Sequence, residues 1–134
     1  MTKTPFILVA AAAGVMLAGN LSAKPALKDV AHVREGIIAA GIAYEISQQC
    51  GDISARLLRG YNYLNSLKDH ARDLGYTEAE IDAYVDDDAE KDRHEGIARE
   101  RLADMGAVTG QAATYCTVGR TEIARGSAIG QLLR

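Results

Sequence analysis

Residues 1–23 have the pattern of a secretory signal peptide, and they decide which part of the chain folds and in which redox environment. One basic residue, Lys3, precedes an uncharged apolar stretch over residues 6–19, and Ala23 supplies a small residue at the predicted cleavage point. The apolar stretch is too short to cross a bilayer as a helix. Because neither a second apolar run nor a lipid-attachment cysteine follows, we expect residues 24–134 to be a soluble periplasmic or secreted protein, with no stable membrane insertion after cleavage.

The composition of residues 24–134 is typical of one small helical domain. This part of the chain has one proline, no linker-like tract and no internal repeat. It contains neither Phe nor Trp, so its core must consist of Ala, Leu, Ile, Val and Tyr, a set that favours helices over sheets. The net charge of the full chain, −3, becomes −4 without Lys3, and the charges are well mixed, which argues against nucleic acid or an anionic membrane surface as the main partner.

Cys50 and Cys116 are the only cysteines of the chain. An even number of cysteines in an exported protein indicates a disulfide, since a metal site needs further strong ligands and a redox pair is more often Cys-x-x-Cys. The sequence therefore predicts a structural Cys50–Cys116 disulfide. It predicts no cofactor, no metal site and no catalytic residue.

Helical periodicity predicts a first helix from Leu27 to Gln49 and a second that is capped by Asp52 or Ser54 and stopped by Gly75. The first helix is apolar or small on nearly all sides in its second half, so we expect it to be the most enclosed. The second helix is expected to face the core with one apolar stripe, which consists of Ile53, Leu57, Tyr61, Leu64, Leu67, Ala71 and Leu74.

The third predicted helix begins with a capping box over Thr77–Glu80 and then loses its apolar face. We expect it either to rotate its contact face or to break near Asp88 or Gly96. A last helix is predicted from Thr114 to Leu133, and the small residues along it indicate close contact with the small residues of the first helix. These small residues are Gly119, Gly126 and Gly130 in the last helix, and Gly36, Ala39, Ala40 and Ala43 in the first.

Four helices with short connections favour an up-down-up-down four-helix bundle in an all-α domain. In that topology the end of the first helix and the start of the last lie at the same end, where the two cysteines could meet. An irregular four- or five-helix cluster with a broken third helix is the alternative.

A dense run of carboxylates between Asp86 and Glu95 does not have the spacing of a calcium loop. Lys91 would take the place of the required glycine, and Ile97 that of the bidentate glutamate. We expect a solvated helix face with i,i+4 ion pairs such as Asp87 with Lys91 and Glu95 with Arg99.

The three histidines do not have the spacing of a metal site. His32 and His70 could approach each other at one end of a bundle, but two ligands make a weak zinc site, and His94 lies within the charged run. We expect all three to be surface residues. Motifs for haem attachment, zinc proteases, serine hydrolases and phosphate-binding loops are absent from the sequence.

Glu45 is the residue most worth locating in a structure, because it is the single carboxylate in the most apolar part of the first helix. A buried carboxylate needs a cation, and Arg56 and Arg120 are the candidates for a structural ion pair. A catalytic acid in a small pocket is the less favoured interpretation. Three tyrosines are expected near such a pocket: Tyr44, Tyr61 and Tyr63.

Three stretches of the sequence are distinctive as a set: AHVREGIIAAGIAYEISQQCGDISARLLRG, GYTEAEID and ATYCTVGRTEIARGSAIGQLLR. Together they resemble a family of small exported alphaproteobacterial proteins known only as a domain of unknown function. The resemblance extends over essentially all of residues 24–134 and places the cysteine pair of the family on Cys50 and Cys116. It implies a helical fold and residence in the periplasm, and it transfers no functional residues because the family has no established activity.

The sequence therefore favours a non-enzymatic binding or interaction module with an unknown protein partner. One alternative is a small-ligand carrier or enzyme with a pocket near Glu45, which predicts an enclosed cavity with convergent polar groups. Another is a periplasmic stress or holdase protein, which predicts a large exposed apolar patch or loosening in acid.

Overall fold

A computed structural model describes residues 23–134, and these residues form six α-helices and no β-strand. A 3₁₀ turn (Leu27–Asp29) comes first. The helices are α1 (Ala31–Gln49), α2 (Leu57–Asp73), α3 (Glu78–Val85), α4 (Asp88–Asp104), α5 (Ala112–Arg125) and α6 (Ala128–Gln131). The predicted signal peptide, apart from Ala23, lies outside the described residues. None of the helices in residues 23–134 is long and apolar enough to cross a membrane.

α1 occupies the centre of the domain and packs against α2, α4, α5 and α6. Ile38, Ile42 and Ile46 of α1 are almost fully buried and form the middle of the main core. Since α1 is apolar or small on nearly all sides, it can bury several faces at once. The arrangement is a central helix surrounded by the others, whereas the predicted up-down-up-down bundle would place the first and third helices on a diagonal.

The predicted third helix is divided into two helices. The break lies near Asp88, which is one of the two predicted positions. α3 begins with the predicted capping box, in which the Thr77 hydroxyl accepts a hydrogen bond from the Glu80 N–H at 3.2 Å, and the Glu80 carboxylate accepts one from the Thr77 N–H at 2.7 Å. Asp87 then caps α4 by accepting from the Glu90 N–H at 2.8 Å. A second N-cap so soon after the first starts a new helix instead of extending the old one.

The prediction of one continuous last helix is wrong. α5 ends at Gly126, which has a left-handed φ of 62°, and Ser127 then caps α6 by accepting a hydrogen bond from the Gly130 N–H at 3.0 Å. The turn folds α6 back onto α5. A Cβ atom at Gly130 would overlap the backbone carbonyl of Glu122, so this contact requires glycine.

Close packing is confirmed at Gly119 and Gly130 of the predicted last helix, whereas a Cβ atom at Gly126 would meet nothing within 4 Å. A Cβ atom at Gly119 would lie 2.6 Å from Ile53 Cδ1 and 2.8 Å from Ile46 Cγ2, so α5 approaches two isoleucine side chains. Gly36 of α1 makes its own close contact with Leu67 of α2. Gly36 and Gly119 therefore receive large side chains, and Gly130 receives the backbone of α5.

The predicted disulfide is present. Cys50 ends α1 and Cys116 lies in the first half of α5, with a Cα–Cα distance of 5.1 Å and a sequence separation of 66. Both cysteines are buried and belong to the main core. In the chain-entropy account, closing a loop of this length stabilises the fold by about 4 kcal/mol.

Candidate binding surface

α2 contacts the rest of the domain through a different face from the predicted one. Leu67 and Ala71 are its only buried residues, and Tyr63 packs partly buried against the main core. These three positions recur at helical spacing and define the inward side of α2. The predicted stripe is therefore correct at Ile53, Leu67 and Ala71. It is wrong in the N-terminal half of the helix and at Leu74, which is exposed.

The N-terminal half of α2 exposes large apolar side chains to solvent. Leu57 is 79 % exposed, Leu58 74 %, Tyr61 65 % and Leu64 43 %. We call these four residues the α2 apolar face. Isolated apolar residues on a surface are ordinary, but four within two helical turns form a continuous patch of the kind that marks an interaction site.

A groove with a volume of about 860 Å³ lies beside the α2 apolar face, between the start of α2 and the last residues of the chain. Leu57 and Leu58 line both the groove and the apolar face. The second wall is held in place by backbone pairing. Ser54 and Arg134 exchange two N–H to carbonyl hydrogen bonds of 2.8 and 3.0 Å, and the Arg56 N–H donates to the Leu132 carbonyl at 2.8 Å.

Three arginines line this groove: Arg56, Arg59 and Arg134. Within residues 23–134, none of the three forms an ion pair, and no acidic side chain lines the groove. Every other arginine of this part of the chain is paired with a carboxylate: Arg34, Arg72, Arg93, Arg99, Arg101, Arg120 and Arg125. The groove thus combines apolar surface with three arginine side chains that form no ion pair among residues 23–134.

Glu45 does not form the predicted buried ion pair. Its side chain is partly exposed and accepts a hydrogen bond from Gln49 Nε2 at 3.0 Å. Arg120 pairs instead with Asp52 at 3.1 Å, and Arg56 faces the groove. Near the end of α1 the carboxylate reaches solvent, so it does not need a cation.

The predicted cluster of tyrosines around Glu45 is not formed as one pocket. Tyr44 and Tyr61 are exposed, and only Tyr63 lines the groove. Burial against the core raises the pKa of Tyr63.

The buried carboxylate of the domain belongs to Glu122 of α5. It pairs with the exposed Arg125 at 3.1 Å. An i,i+3 pair within one helix is a structural arrangement, and the Glu122 carboxylate is satisfied by it.

The expectation that His94 is a surface residue is wrong. His94 is 8 % exposed, and its Nε2 lies 2.9 Å from the Tyr84 hydroxyl, which joins α4 to α3. Burial lowers the pKa of His94 and raises that of Tyr84. The imidazole and the phenol share one hydrogen bond, and the tautomer of the neutral imidazole decides which of them donates. The sequence contained a signal for this, because His94 continues the buried i,i+4 line of Ala98 and Leu102.

His32 and His70 do approach each other, with ring centroids 4.5 Å apart in an edge-to-face arrangement between α1 and α2. No third ligand joins them. Across residues 23–134, no group of three or more His, Cys, Asp or Glu side chains is placed to hold a metal ion.

The acidic run of α4 forms ion pairs on the helix surface. The predicted pair of Glu95 with Arg99 is confirmed at 2.8 Å. Lys91 pairs with Asp88 at 3.3 Å and not with Asp87, because the Asp87 carboxylate is used as the cap of α4.

These features define a small all-helical domain with one internal disulfide and an apolar, arginine-lined surface. The chain belongs to DUF5333, a family of unknown function, and the match covers residues 25–134. This confirms the resemblance to a family without an established activity. No curated protein matches the chain, and no solved structure matches it.

Proposed function

We propose that this protein is a periplasmic or secreted interaction module that binds a segment of another protein through the α2 apolar face. Its residues 1–23 act as a signal peptide, and residues 24–134 are the functional domain. The charge and apolar pattern of the leader supports export. The Cys50–Cys116 bond supports it as well, since structural disulfides persist mainly in oxidising compartments.

The α2 apolar face is the observation that carries this proposal. Full burial of a leucine side chain contributes about 1.5–3 kcal/mol, and the N-terminal half of α2 leaves this contribution unused. The face borders a groove, so a partner segment could cover Leu57 and Leu58 from two sides. A continuous apolar patch next to a concave site is the usual anatomy of a protein interaction surface.

A holdase role is the second candidate, because an exposed apolar patch also suits the binding of unfolded chains. The two roles differ in selectivity. An interaction module binds one partner with a defined stoichiometry, whereas a holdase binds many unfolded proteins and suppresses their aggregation. A pocket centred on Glu45 has no comparable support, because that side chain is partly exposed and is bonded to Gln49.

The test is capture of partners by the tagged protein from the compartment where it accumulates, with matched variants. L57S/L58S removes part of the α2 apolar face, and L74S changes an exposed leucine at the other end of the same helix. We expect a discrete partner to be retained by the wild type and L74S and to be lost from L57S/L58S, and the purified pair to bind with one-to-one stoichiometry. Retention of the same proteins by all three would contradict the proposal.

The compartment is tested separately by intact mass. We expect the accumulated protein to begin at Lys24. Full-length protein recovered with the inner membrane would show that residues 1–23 act as an anchor.

A further inference from the structure

We infer that the groove beside the α2 apolar face binds a protein segment that carries carboxylate side chains among apolar ones. This inference rests on the proposed function and specifies the chemistry of the partner. It follows from the charge and the shape of the groove and from its poor match to a second copy of itself.

The arginines of the groove favour a partner segment that carries acidic side chains. Arg56, Arg59 and Arg134 line it without an ion pair among residues 23–134, although the domain pairs its other arginines with carboxylates. A guanidinium group donates a fixed fork of N–H bonds that matches a carboxylate, and such charge-assisted bonds are the strong ones. In a protein with a net charge of −3, three unpaired arginines around one groove attract carboxylates to a defined place.

The shape of the groove favours a protein segment over a membrane surface. Arg56 and Arg59 lie at the start of α2, and Arg134 lies on the opposite wall, so arginines line both sides of a concavity. Arg59 Nη1 donates a hydrogen bond to the Gln131 carbonyl of the opposite wall at 3.5 Å, and its other N–H groups remain for a ligand. A segment of chain can enter this space and meet both walls, while Leu57 and Leu58 at its edge cover apolar side chains of the same segment. A flat bilayer surface cannot contact both walls together.

A second copy of this chain is a poor occupant for the same groove. In a two-fold symmetric dimer centred on the groove, the groove of one copy meets that of the other, and no acidic side chain lines it to pair with the arginines. Like charges brought together in an interface are unfavourable. The charge of the groove therefore indicates a different chain as the partner.

The experiment is a selection of random 12-residue peptides displayed on phage, using the oxidised wild-type protein as bait and L57S/L58S for counter-selection. We expect the selected peptides to be enriched in Asp and Glu together with Leu, Ile, Phe or Tyr. Binding of one selected peptide is then measured by fluorescence anisotropy. R59Q should weaken it about tenfold, and R99Q, which removes the same charge from an exposed site on α4, should leave it unchanged. Added salt should weaken binding to the wild type.

The outcomes separate this inference from the proposed function. One outcome overturns the inference and leaves the proposed function standing. In it, the selected peptides lack acidic residues, bind R59Q as tightly as the wild type, and do not bind L57S/L58S. Absence of any peptide that depends on Leu57 and Leu58 would overturn both. If the protein binds phosphatidylglycerol vesicles as tightly as the selected peptide and R59Q loses this binding, the groove is assigned to a lipid surface. If the protein forms a dimer that L57S/L58S dissociates, the groove is assigned to a second copy. Either result overturns the inference.

Discussion

His94 and Tyr84 connect α4 to α3 through a hydrogen bond, and burial of the His94 ring favours the neutral imidazole. Burial, together with Arg93 and Arg34, lowers the pKa of His94 below its ordinary value of 6.5, while Glu90 acts in the opposite direction. The unfolded chain therefore binds a proton more readily than the folded one. By linkage, stability is complete above the unfolded pKa and decreases as the pH falls below about 6.5.

We expect the wild type to lose more stability between pH 7.5 and 5.5 than H94Q, in which the glutamine can keep a hydrogen bond and does not titrate. Urea unfolding at the two pH values measures this. The contact between His32 and His70 is present in both proteins and therefore affects both alike. Glu35, Glu78 and Glu80 also have lowered pKa values, but they titrate below 4.5, outside this window. Equal losses in the wild type and H94Q would show that the pair carries no pH dependence.

Three glycines give a graded test of backbone packing at single residues. We expect Gly130→Ala to destabilise the domain by about 2 kcal/mol or more, because the new Cβ atom meets the rigid Glu122 carbonyl. Gly119→Ala should cost less, since the side chains of Ile46 and Ile53 can move. Gly96→Ala, in the exposed middle of α4, should stabilise by about 0.5–1 kcal/mol. Urea melts that gave a different order would contradict the packing of α6 on α5.

At the scale of single elements, the sequence predicts the start or end of a helix wherever the atoms that form the cap lie within a few residues of each other. The capping box of α3 is of this kind, because the side chains of Thr77 and Glu80 each accept a hydrogen bond from the backbone N–H of the other residue. The break at Gly126 was also coded locally, by a glycine that ends α5 and the Ser127 cap of α6. It was missed because the line of small residues was interpreted as one continuous contact face.

The orientation of α2 could not be predicted from its sequence. Its apolar residues fit two helical stripes, one through Leu57, Tyr61 and Leu64 and another through Tyr63 and Leu67. Both have the period of a helix, and the choice depends on what the neighbouring elements offer. Gly36 of α1 leaves space for Leu67, and the main core accepts Tyr63, so the second stripe is buried.

This orientation predicts opposite results for two leucines of the same helix. Leu67→Ala should destabilise the domain by about 2–5 kcal/mol, because the side chain is buried against α1. Leu58→Ala should change stability by no more than about 0.5 kcal/mol, because the side chain is exposed. Urea unfolding of both variants is the measurement. A large loss in Leu58→Ala would mean that the α2 apolar face is covered in the isolated protein.

For the molecule as a whole, the helical class and the disulfide followed from composition and cysteine count, whereas the arrangement of helices around α1 did not. The nearly uniform apolar surface of residues 36–46 indicated an enclosed helix, but enclosure by two neighbours and by four neighbours gives the same sequence pattern. The arginine-lined groove was not predicted either. It forms because residues 54–56 pair with residues 132–134, which are distant in sequence.

The disulfide should be the largest single contribution to the stability of this fold. We expect the oxidised protein to be more stable than the reduced one by about 4 kcal/mol, since the bond joins the end of α1 to α5. Cys50→Ala and Cys116→Ala should cost similar amounts, and the double variant little more than either, because each removes the same bond. Thiol titration in denaturant and matched urea melts test this. Additive losses in the double variant would argue against a shared bond.

The most direct test of the α2 apolar face as an interaction surface is site-specific photo-crosslinking in the living cell. A photoreactive amino acid replaces Leu58 on the face or, as the control, Arg99 on α4. We predict one discrete adduct of a different protein from position 58 and none from position 99. Absence of an adduct at position 58, or the same adducts from both positions, would contradict the account.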